Sequence, residues 1–249
     1  MRRSMYMLFA VVTLMGCGRI GYDGPTDEGL IAYWSFDDTD LATDVMGIND
    51  MTCEGAECPM SGDGVVGGAG VFDGASSCGS VPTLEDWSSP SFTISAWAKS
   101  PGMNGPVVVH ESGSGCPSPA MEINEGSLGL VQLNTSDDAH NEAWTTSTIA
   151  DMAEWHQVAV RWDGTSQQVY LDGVCSCSVT PELGPLDQTE AFTIGCYPNA
   201  GTMFTGTLDE VRLYDRALDP DEIAGLYAVG GHTAPLPQDC PATCAATPP

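Results

Sequence analysis

The chain has 249 residues, enough for one large domain or two small ones and for a sizeable core. Seven Lys and Arg stand against 34 Asp and Glu, with a single lysine, Lys99, and the formal net charge is −27. A surface of that sign repels phosphate backbones and excludes nucleic acid as a partner, while it suits hard cations that seek carboxylate oxygens. The same acidity also serves solubility alone.

In chain order, Arg2 and Arg3 precede an eleven-residue apolar run, Met5 to Met15. That run is too short to span a bilayer and has the length of a signal-peptide core. Leu14-Met15-Gly16-Cys17 follows and resembles a bacterial lipobox. The resemblance implies residues 1–16 as a lipoprotein signal peptide, with cleavage before Cys17 and lipidation of its sulfur. It also implies an exported protein anchored in the cell envelope, with Gly18 pointing to the outer membrane. An ordinary signal peptide is the alternative reading. Residues 17–28 are glycine-rich and polar, a tether.

Nine cysteines remain after Cys17, and export makes disulfides the default. Cys53 with Cys58, and Cys240 with Cys244, are near enough in sequence to pair locally. Cys116, Cys175, Cys177 and Cys196 have the placement to pair between neighbouring strands or loops. Cys78 is the ninth, and the odd number leaves one thiol over. Cys175-x-Cys177 on one strand face is the alternative zinc reading, without a matching CxxC or histidine pair.

Leu30 to Phe36 reads as a strand, and Asp37-Asp38-Thr39-Asp40 turns the chain, with Asp44 following. The aspartates do not make an EF-hand, since no glycine holds the sharp-turn position and no glutamate closes a twelve-residue loop. Gly62 to Gly74 is glycine-rich without the GxGxxG of a nucleotide site. Further strands are expected at Ala69–Phe72, Ser91–Lys99, Val107–His110, Met121–Asn124, Ser127–Leu133, Thr146–Ile149, Trp155–Trp162, Gln167–Leu171, Val174–Ser178, Phe192–Cys196 and Thr207–Tyr214. Glu125-Gly126 and Asp172-Gly173 are hairpin turns. In the last strand, Leu208, Glu210, Arg212 and Tyr214 alternate with Asp209, Val211 and Leu213. Asp219 at an N-cap, Pro220 after it and Glu222 three on predict a short C-terminal helix. Asp221 suits its positive end, and Asp215 sits in the turn before Arg216. Many short strands and almost no helix mark an all-β, two-sheet antiparallel sandwich or jelly roll. Residues 229–249 are a Pro-, Ala- and Thr-rich tail carrying the Cys240/Cys244 pair.

LIAYWSFDD, Asp44 to Gly47, GVFDGAS, FTISAWAK, EWHQVAVRWDGTSQQVYLDGV and FTGTLDEVRLYDRALDPDEI occur in one order over residues 28–228. Together they resemble a laminin-G-like, concanavalin A-like jelly roll, which implies a domain over residues 29–228. Fold likeness alone does not fix activity, because such folds host lectins, adhesion modules, pentraxins and glycosidases. In relatives a structural Ca²⁺ is held by backbone carbonyls and a side chain from the last strand. Carried onto this sequence, that implies Asp209, with Asp37 as a second ligand. Turn bonding or solvent exposure is the plain alternative for both.

A glycosidase of this fold needs paired carboxylates at alternate strand positions, as in Glu-x-Asp-x-Glu. Glu122-Ile123-Asn124-Glu125 lacks the central aspartate, and Glu125 falls on the wrong face. His110, His140, His156 and His232 are scattered, and Ser114 in Gly-Ser-Gly has no strand–turn–helix elbow. Sugar stacking needs exposed aromatics; Trp87, Trp144, Tyr197 and Tyr227 lie in or near loops, where core packing is the competing role. The sequence nominates no pocket. The expectation is a non-catalytic envelope lipoprotein that binds carbohydrate or a protein surface, with Ca²⁺ as a structural ion. The alternatives are a divergent glycosidase of the same fold or a purely structural component.

Overall fold

The computed structural model describes residues 27–53, 57–84, 87, 91–100, 105–110, 120–124, 130–134, 142–144, 149, 151–180, 191–197, 201–236 and 238–241. Cys17, Cys116, Cys244, Ser114, Glu125 and His140 lie outside them. The strands are β1 (Leu30–Trp34), β2 (Met60–Asp63), β3 (Gly68–Asp73), β4 (Gly79–Val81), β5 (Phe92–Lys99), β6 (Gly105–His110), β7 (Ala120–Asn124) and β8 (Leu130–Asn134). They continue as β9 (Glu142–Trp144), β10 (His156–Trp162), β11 (Gln167–Leu171), β12 (Val174–Val179), β13 (Phe192–Ile194), β14 (Cys196–Tyr197), β15 (Thr202–Met203) and β16 (Thr205–Tyr214). One helix, α1 (Pro220–Tyr227), and a 3₁₀ turn at Val229–Gly231 follow.

The first sheet runs β12-β11-β10-β5-β16-β3-β2, with β1 also on β16; the second runs β4-β13-β6-β7-β8-β9. All named strand pairs are antiparallel. Residues from both sheets fill one core: Trp34, Phe72, Ile94, Val160, Val211 and Leu213 from the first, Val108, Met121, Ile123, Phe192 and Ile194 from the second. Trp34 stacks on Phe192 across the sheets, with ring centroids 6.1 Å apart. The expected two-sheet antiparallel sandwich with a short C-terminal helix is the observed architecture.

Differences from the periodicity reading have local causes. Gly195, at φ 79°, breaks the expected Phe192–Cys196 strand into β13 and the short β14. β2 and β4 escape the pattern because MSGD and GSV are short and carry one apolar side chain larger than alanine each. The strand expected at Thr146–Ile149 falls largely outside the described residues, and β9 lies just before it.

The outer face of the first sheet is also apolar. Ala159, Tyr170, Cys175 and Tyr214 form a second cluster with Leu218, Ile223 and Leu226 from α1 and its lead-in. Asp219 caps α1: its carboxylate accepts from Glu222 N at 2.9 Å and its own N–H donates to Glu222 Oε2 at 2.8 Å. Arg216 donates both guanidinium ends to Glu222 at 2.8 and 2.6 Å, fixing the helix start. The tail beyond α1 is pinned by the Cys175–Cys240 disulfide.

That bridge corrects the expected local Cys240–Cys244 pair: Cys240 runs back to β12, and Ser178 N donates to Pro241 O along the strand edge. Cys53–Cys58 pairs as expected. Cys196 bonds Cys78, which joins the β14 segment to the start of β4. Cys175 and Cys177 do not share a face. The ladder with β11 shifts register between Val169/Tyr170, so Cys177 enters the inter-sheet core while Cys175 faces α1. Both are in disulfides, and the partner of Cys177 lies outside the described residues. Neither sulfur is left as a zinc thiolate.

The loop after β1 hangs on one carboxylate. Buried Asp44 accepts from the backbone N–H groups of Tyr33 (2.8 Å), Met46 (3.1 Å), Ile48 (3.2 Å) and Asn49 (2.9 Å). Asn49 in turn donates to Ile31 O and accepts at its carbonyl from Trp34 Nε1. Asp44→Ala therefore strands several buried donors, and denaturant unfolding is expected to show a loss of about 3 kcal/mol or more. A change under 0.5 kcal/mol would show the loop to be held elsewhere.

Candidate functional site

The densest charge in the sequence sits on β16, where the strand changes partner. Its first half pairs with β3, Thr205↔Asp73 to Leu208↔Gly70, and its second half with β1, Val211↔Trp34 to Tyr214↔Leu30. Between them the register with β5 slips, from Asp209↔Trp97 to Arg212↔Ser95. Glu210 has φ 54°, in the left-handed region, so the slip is a bulge. The expected alternation therefore fails: Leu208 and Val211, three residues apart, both enter the core. Asp209, Glu210 and Arg212 are all buried.

Glu210 and Arg212 form a buried ion pair. Tyr33 donates to Glu210 Oε1 at 2.6 Å, and the guanidinium of Arg212 lies 4.0 Å from the centroid of the Tyr33 ring. Burial pushes the Tyr33 hydroxyl well above its ordinary value. These groups satisfy one another and leave no free acid or base.

Asp209 and Asp37 grip a single loop, the β2–β3 turn at Gly64–Gly67. Asp209 Oδ2 accepts from Val65 N (2.7 Å) and Val66 N (3.1 Å), and Asp37 Oδ1 accepts from Gly68 N (2.6 Å). A Cβ on Gly67, itself at φ 61°, would collide with Asp37, and one on Gly64 with Asp209 and the Gly68 carbonyl. Thus the two residues nominated as metal ligands in the sequence both hold this turn, each through backbone amides.

Suitability for Ca²⁺ turns on the oxygens left over. Asp209 Oδ1 is buried and, among the described residues, accepts no hydrogen bond. Burial raises this carboxyl to about 7, against the opposing pull of the Val66 and Val65 amides. Such an oxygen needs a proton or a cation. The Gly68 carbonyl and Asp209 Oδ2 flank the same side of Gly64, and the Phe36 carbonyl packs against Gly68, 2.6 Å from where a Cβ would stand. A set of hard oxygens fits Ca²⁺ in kind. It is sparse in carboxylates: no group of three or more His, Cys, Asp or Glu suited to a metal occurs among the described residues.

The second sheet presents a different surface. Met121 and Ile123 point into the core, so Glu122 between them faces outward, half-buried. Tyr197, from β14, donates its hydroxyl to Glu122 Oε1. Register places Pro106, Glu122, Gln132 and Trp144 in one row across β6, β7, β8 and β9. Tyr197 thus lies against this sheet, and Trp144 holds a register position within it. The other aromatic candidates are not: Trp87 is a core residue edge-on to Phe92 and Phe192, and Tyr227 stacks on Trp97 at 5.5 Å, over the first sheet.

His156 is engaged at both nitrogens, Nδ1 with Asp172 Oδ2 at 2.9 Å and Nε2 with the Asp151 carbonyl at 3.1 Å. Asp172 lies in the β11–β12 turn at φ 52° and also accepts from Gln157 N. No hydroxyl or thiol nucleophile is bonded to this histidine among the described residues. His232 stacks on Trp97 with centroids 4.7 Å apart.

A model described as the concanavalin A-like lectin/glucanases superfamily matches residues 73–224. No curated protein matches the sequence. Among solved structures, domain 4 of AbnA, a GH43 extracellular arabinanase from Geobacillus stearothermophilus in complex with arabinotriose, superposes with TM-score 0.65 at 22% identity, covering 80% of this chain and 98% of that one. A Trypanosoma rangeli sialidase with the inhibitor DANA gives TM-score 0.61 at 19% identity, over 83% of this chain and 34% of the other. The receptor-binding domain of botulinum neurotoxin type G gives 0.59 at 13%, over 81% and 51%. The chain thus spans nearly all of the arabinanase domain but a third to a half of the other two. At these identities the likeness is one of fold.

The His156–Asp172 contact makes a pH prediction. The hydrogen bond to Asp172 holds the imidazole above its ordinary value, against the opposing effect of burial. The folded value then exceeds the unfolded one of about 6.5. The pair's stabilisation is complete below about pH 6.5 and is lost as pH rises through the folded value. Urea titrations from pH 6 to 9 should show this decline, and Asp172→Asn should remove it; an unchanged slope in the variant would contradict the assignment.

Proposed function

Because the chain belongs to the concanavalin A-like lectin/glucanases superfamily, we propose that it is a non-catalytic carbohydrate-binding protein that holds its ligand on the outer face of the second sheet. The observation that carries this is the inequality of the two outer faces among the described residues. α1, its lead-in and the tail cover the first sheet, and Cys175–Cys240 fastens the cover. On the second sheet an outward carboxylate, Glu122, is oriented by Tyr197 in a row with Gln132 and Trp144. A carboxylate fixed beside amide and aromatic residue types is the chemistry that accepts sugar hydroxyls and stacks on a ring. The arabinotriose complex of the arabinanase domain supports the choice of a saccharide over a protein surface.

The non-catalytic reading rests on Glu122 itself. Its register partners are Pro106 and Gln132, and the positions two residues away on its own strand are Ala120 and Asn124. A glycosidase needs a second carboxyl group about 5 to 9.5 Å away, and among the described residues none of these positions supplies one. On a glycan array the full chain should bind a saccharide set, and Glu122→Ala should weaken binding about tenfold or more with the fold intact. Hydrolysis of a bound polysaccharide, abolished by Glu122→Gln, would overturn the reading in favour of an enzyme.

We propose in addition that Asp209, with Asp37 and the Phe36 and Gly68 carbonyls around the same turn, holds a structural Ca²⁺, supported by the Asp209 Oδ1 that accepts no hydrogen bond among the described residues. When bound, the ion would neutralise that oxygen and lock the Gly64–Gly67 loop. Millimolar Ca²⁺ should then raise the melting temperature of the wild type by several degrees and leave Asp209→Asn unmoved. Equal shifts in both would place the ion elsewhere.

The Leu14-Met15-Gly16-Cys17 leader supports export and a lipid anchor at Cys17, with the domain displayed at the cell envelope, on the outer membrane. Cys17→Ser should release the protein from the membrane fraction. Undiminished retention would exclude the anchor.

A further inference from the structure

We infer that the glycan held on the second sheet carries no anionic group: it is a neutral or amino-bearing saccharide, and not a uronate, a sialylated glycan or a sulfate ester. The inference rests on the carbohydrate-binding reading above and narrows its ligand class.

Recognition of a sugar carboxylate or sulfate uses cationic donors, above all the guanidinium fork. The sequence has seven Lys and Arg in all. Arg2, Arg3 and Arg19 precede the domain, which leaves Lys99, Arg161, Arg212 and Arg216. The fold puts all four on the first-sheet side. Arg161 alternates with Val160, which faces the core, and donates to the Leu218 carbonyl at 2.7 Å and to Asp163 at 3.4 Å, beside the cover over that sheet. Arg212 is buried against Glu210 and Tyr33. Arg216 is held by Glu222 of α1 and by the Glu28 carbonyl at 2.7 Å. Lys99 ends β5, with its ammonium 5.9 Å from the Trp155 ring centroid.

The second sheet has none. Its strands contain no Lys or Arg, and neither do the chain segments that join them at 111–119, 125–129 and 135–141. Those segments instead bring Glu111, Glu125, Asp137 and Asp138 in sequence. The limit on ligand charge therefore follows from the sequence of these connections, whatever path they take. Stacked sheets lie about 10 Å apart, and the Debye length at physiological salt is about 8 Å. The cations of the first sheet are engaged, and they are screened from a ligand on the far face. An anionic sugar there would meet Glu122 with nothing to offset it, whereas hydroxyl and ammonium groups can donate to that carboxylate. His110 and His140 are the remaining groups able to become cationic in this half, and at pH 8 an ordinary histidine is neutral.

The test is binding of the full chain, at pH 8 and physiological salt, to glycans in matched pairs differing only in charge. Suitable pairs are polygalacturonate and its carboxyl-reduced form, sialylated and desialylated N-glycans, and sulfated and desulfated galactans, with chitosan oligosaccharides as the amino-bearing probe. Every glycan bound should be neutral or amino-bearing, and adding a carboxylate or sulfate to a bound member should weaken it about tenfold or more. An anionic member bound as tightly as its neutral partner, through a site sensitive to Glu122→Ala, would overturn the charge inference and leave the carbohydrate reading standing. Binding to no member of the panel would overturn the carbohydrate reading, and the inference with it.

Discussion

The buried pair of Glu210 and Arg212 governs the path of β16, and β16 is the strand from which the first sheet hangs. It runs beside β5 through most of its length while exchanging β3 for β1 on its other edge. An exchange of that kind needs a bend, and the bend here is a bulge with a non-glycine residue in the left-handed region. Such a backbone costs about 1–3 kcal/mol and persists only where its surroundings over-determine it. Glu210 is over-determined: Arg212 lies against it on one side and Tyr33 of β1 on the other. Removing either charge would leave its partner buried and unpaired, a loss of about 3–5 kcal/mol.

From that bend follows the division of labour between the two faces. With β1 and β3 both seated on β16, the first sheet is broad, and α1 with the disulfide-fastened tail has a surface to cover. Its outer side becomes a second small core, and it also collects every cation of the domain. The acidic residues that crowd the sequence between 209 and 222 go to fixed tasks there: Asp209 grips a loop, Glu210 pairs with Arg212, and Asp219 and Glu222 cap a helix. The other sheet is the face on which the proposed ligand site lies.

Much of this was legible in the sequence. Period-2 runs marked most strands, Asp172-Gly173 marked the β11–β12 hairpin, and the capping box at Asp219 gave the helix its start. Asp37 and Asp209 were read as companions, and they do hold one loop, although the atoms they hold are backbone amides. What escaped depended on contacts distant in sequence. No alternation pattern shows a bulge at Glu210 or between Cys175 and Cys177, because the slip is set by a neighbouring strand. Cys240 pairs with a residue 65 positions away rather than with nearby Cys244, since the tail folds back along β12. The Glu122–Tyr197 contact joins residues 75 apart, and only the closed sandwich brings them together.

The central claim is that ligand meets the second sheet, while the acidic stretch on β16 serves architecture. Hydrogen–deuterium exchange of the full chain, with and without a saturating neutral oligosaccharide identified by the array, tests it most directly. The account predicts slowed exchange in 105–110, 120–124 and 130–134, with 64–68 and 205–214 unchanged. Protection confined to 64–68 and 205–214 would contradict it and return the binding site to the carboxylates of β16.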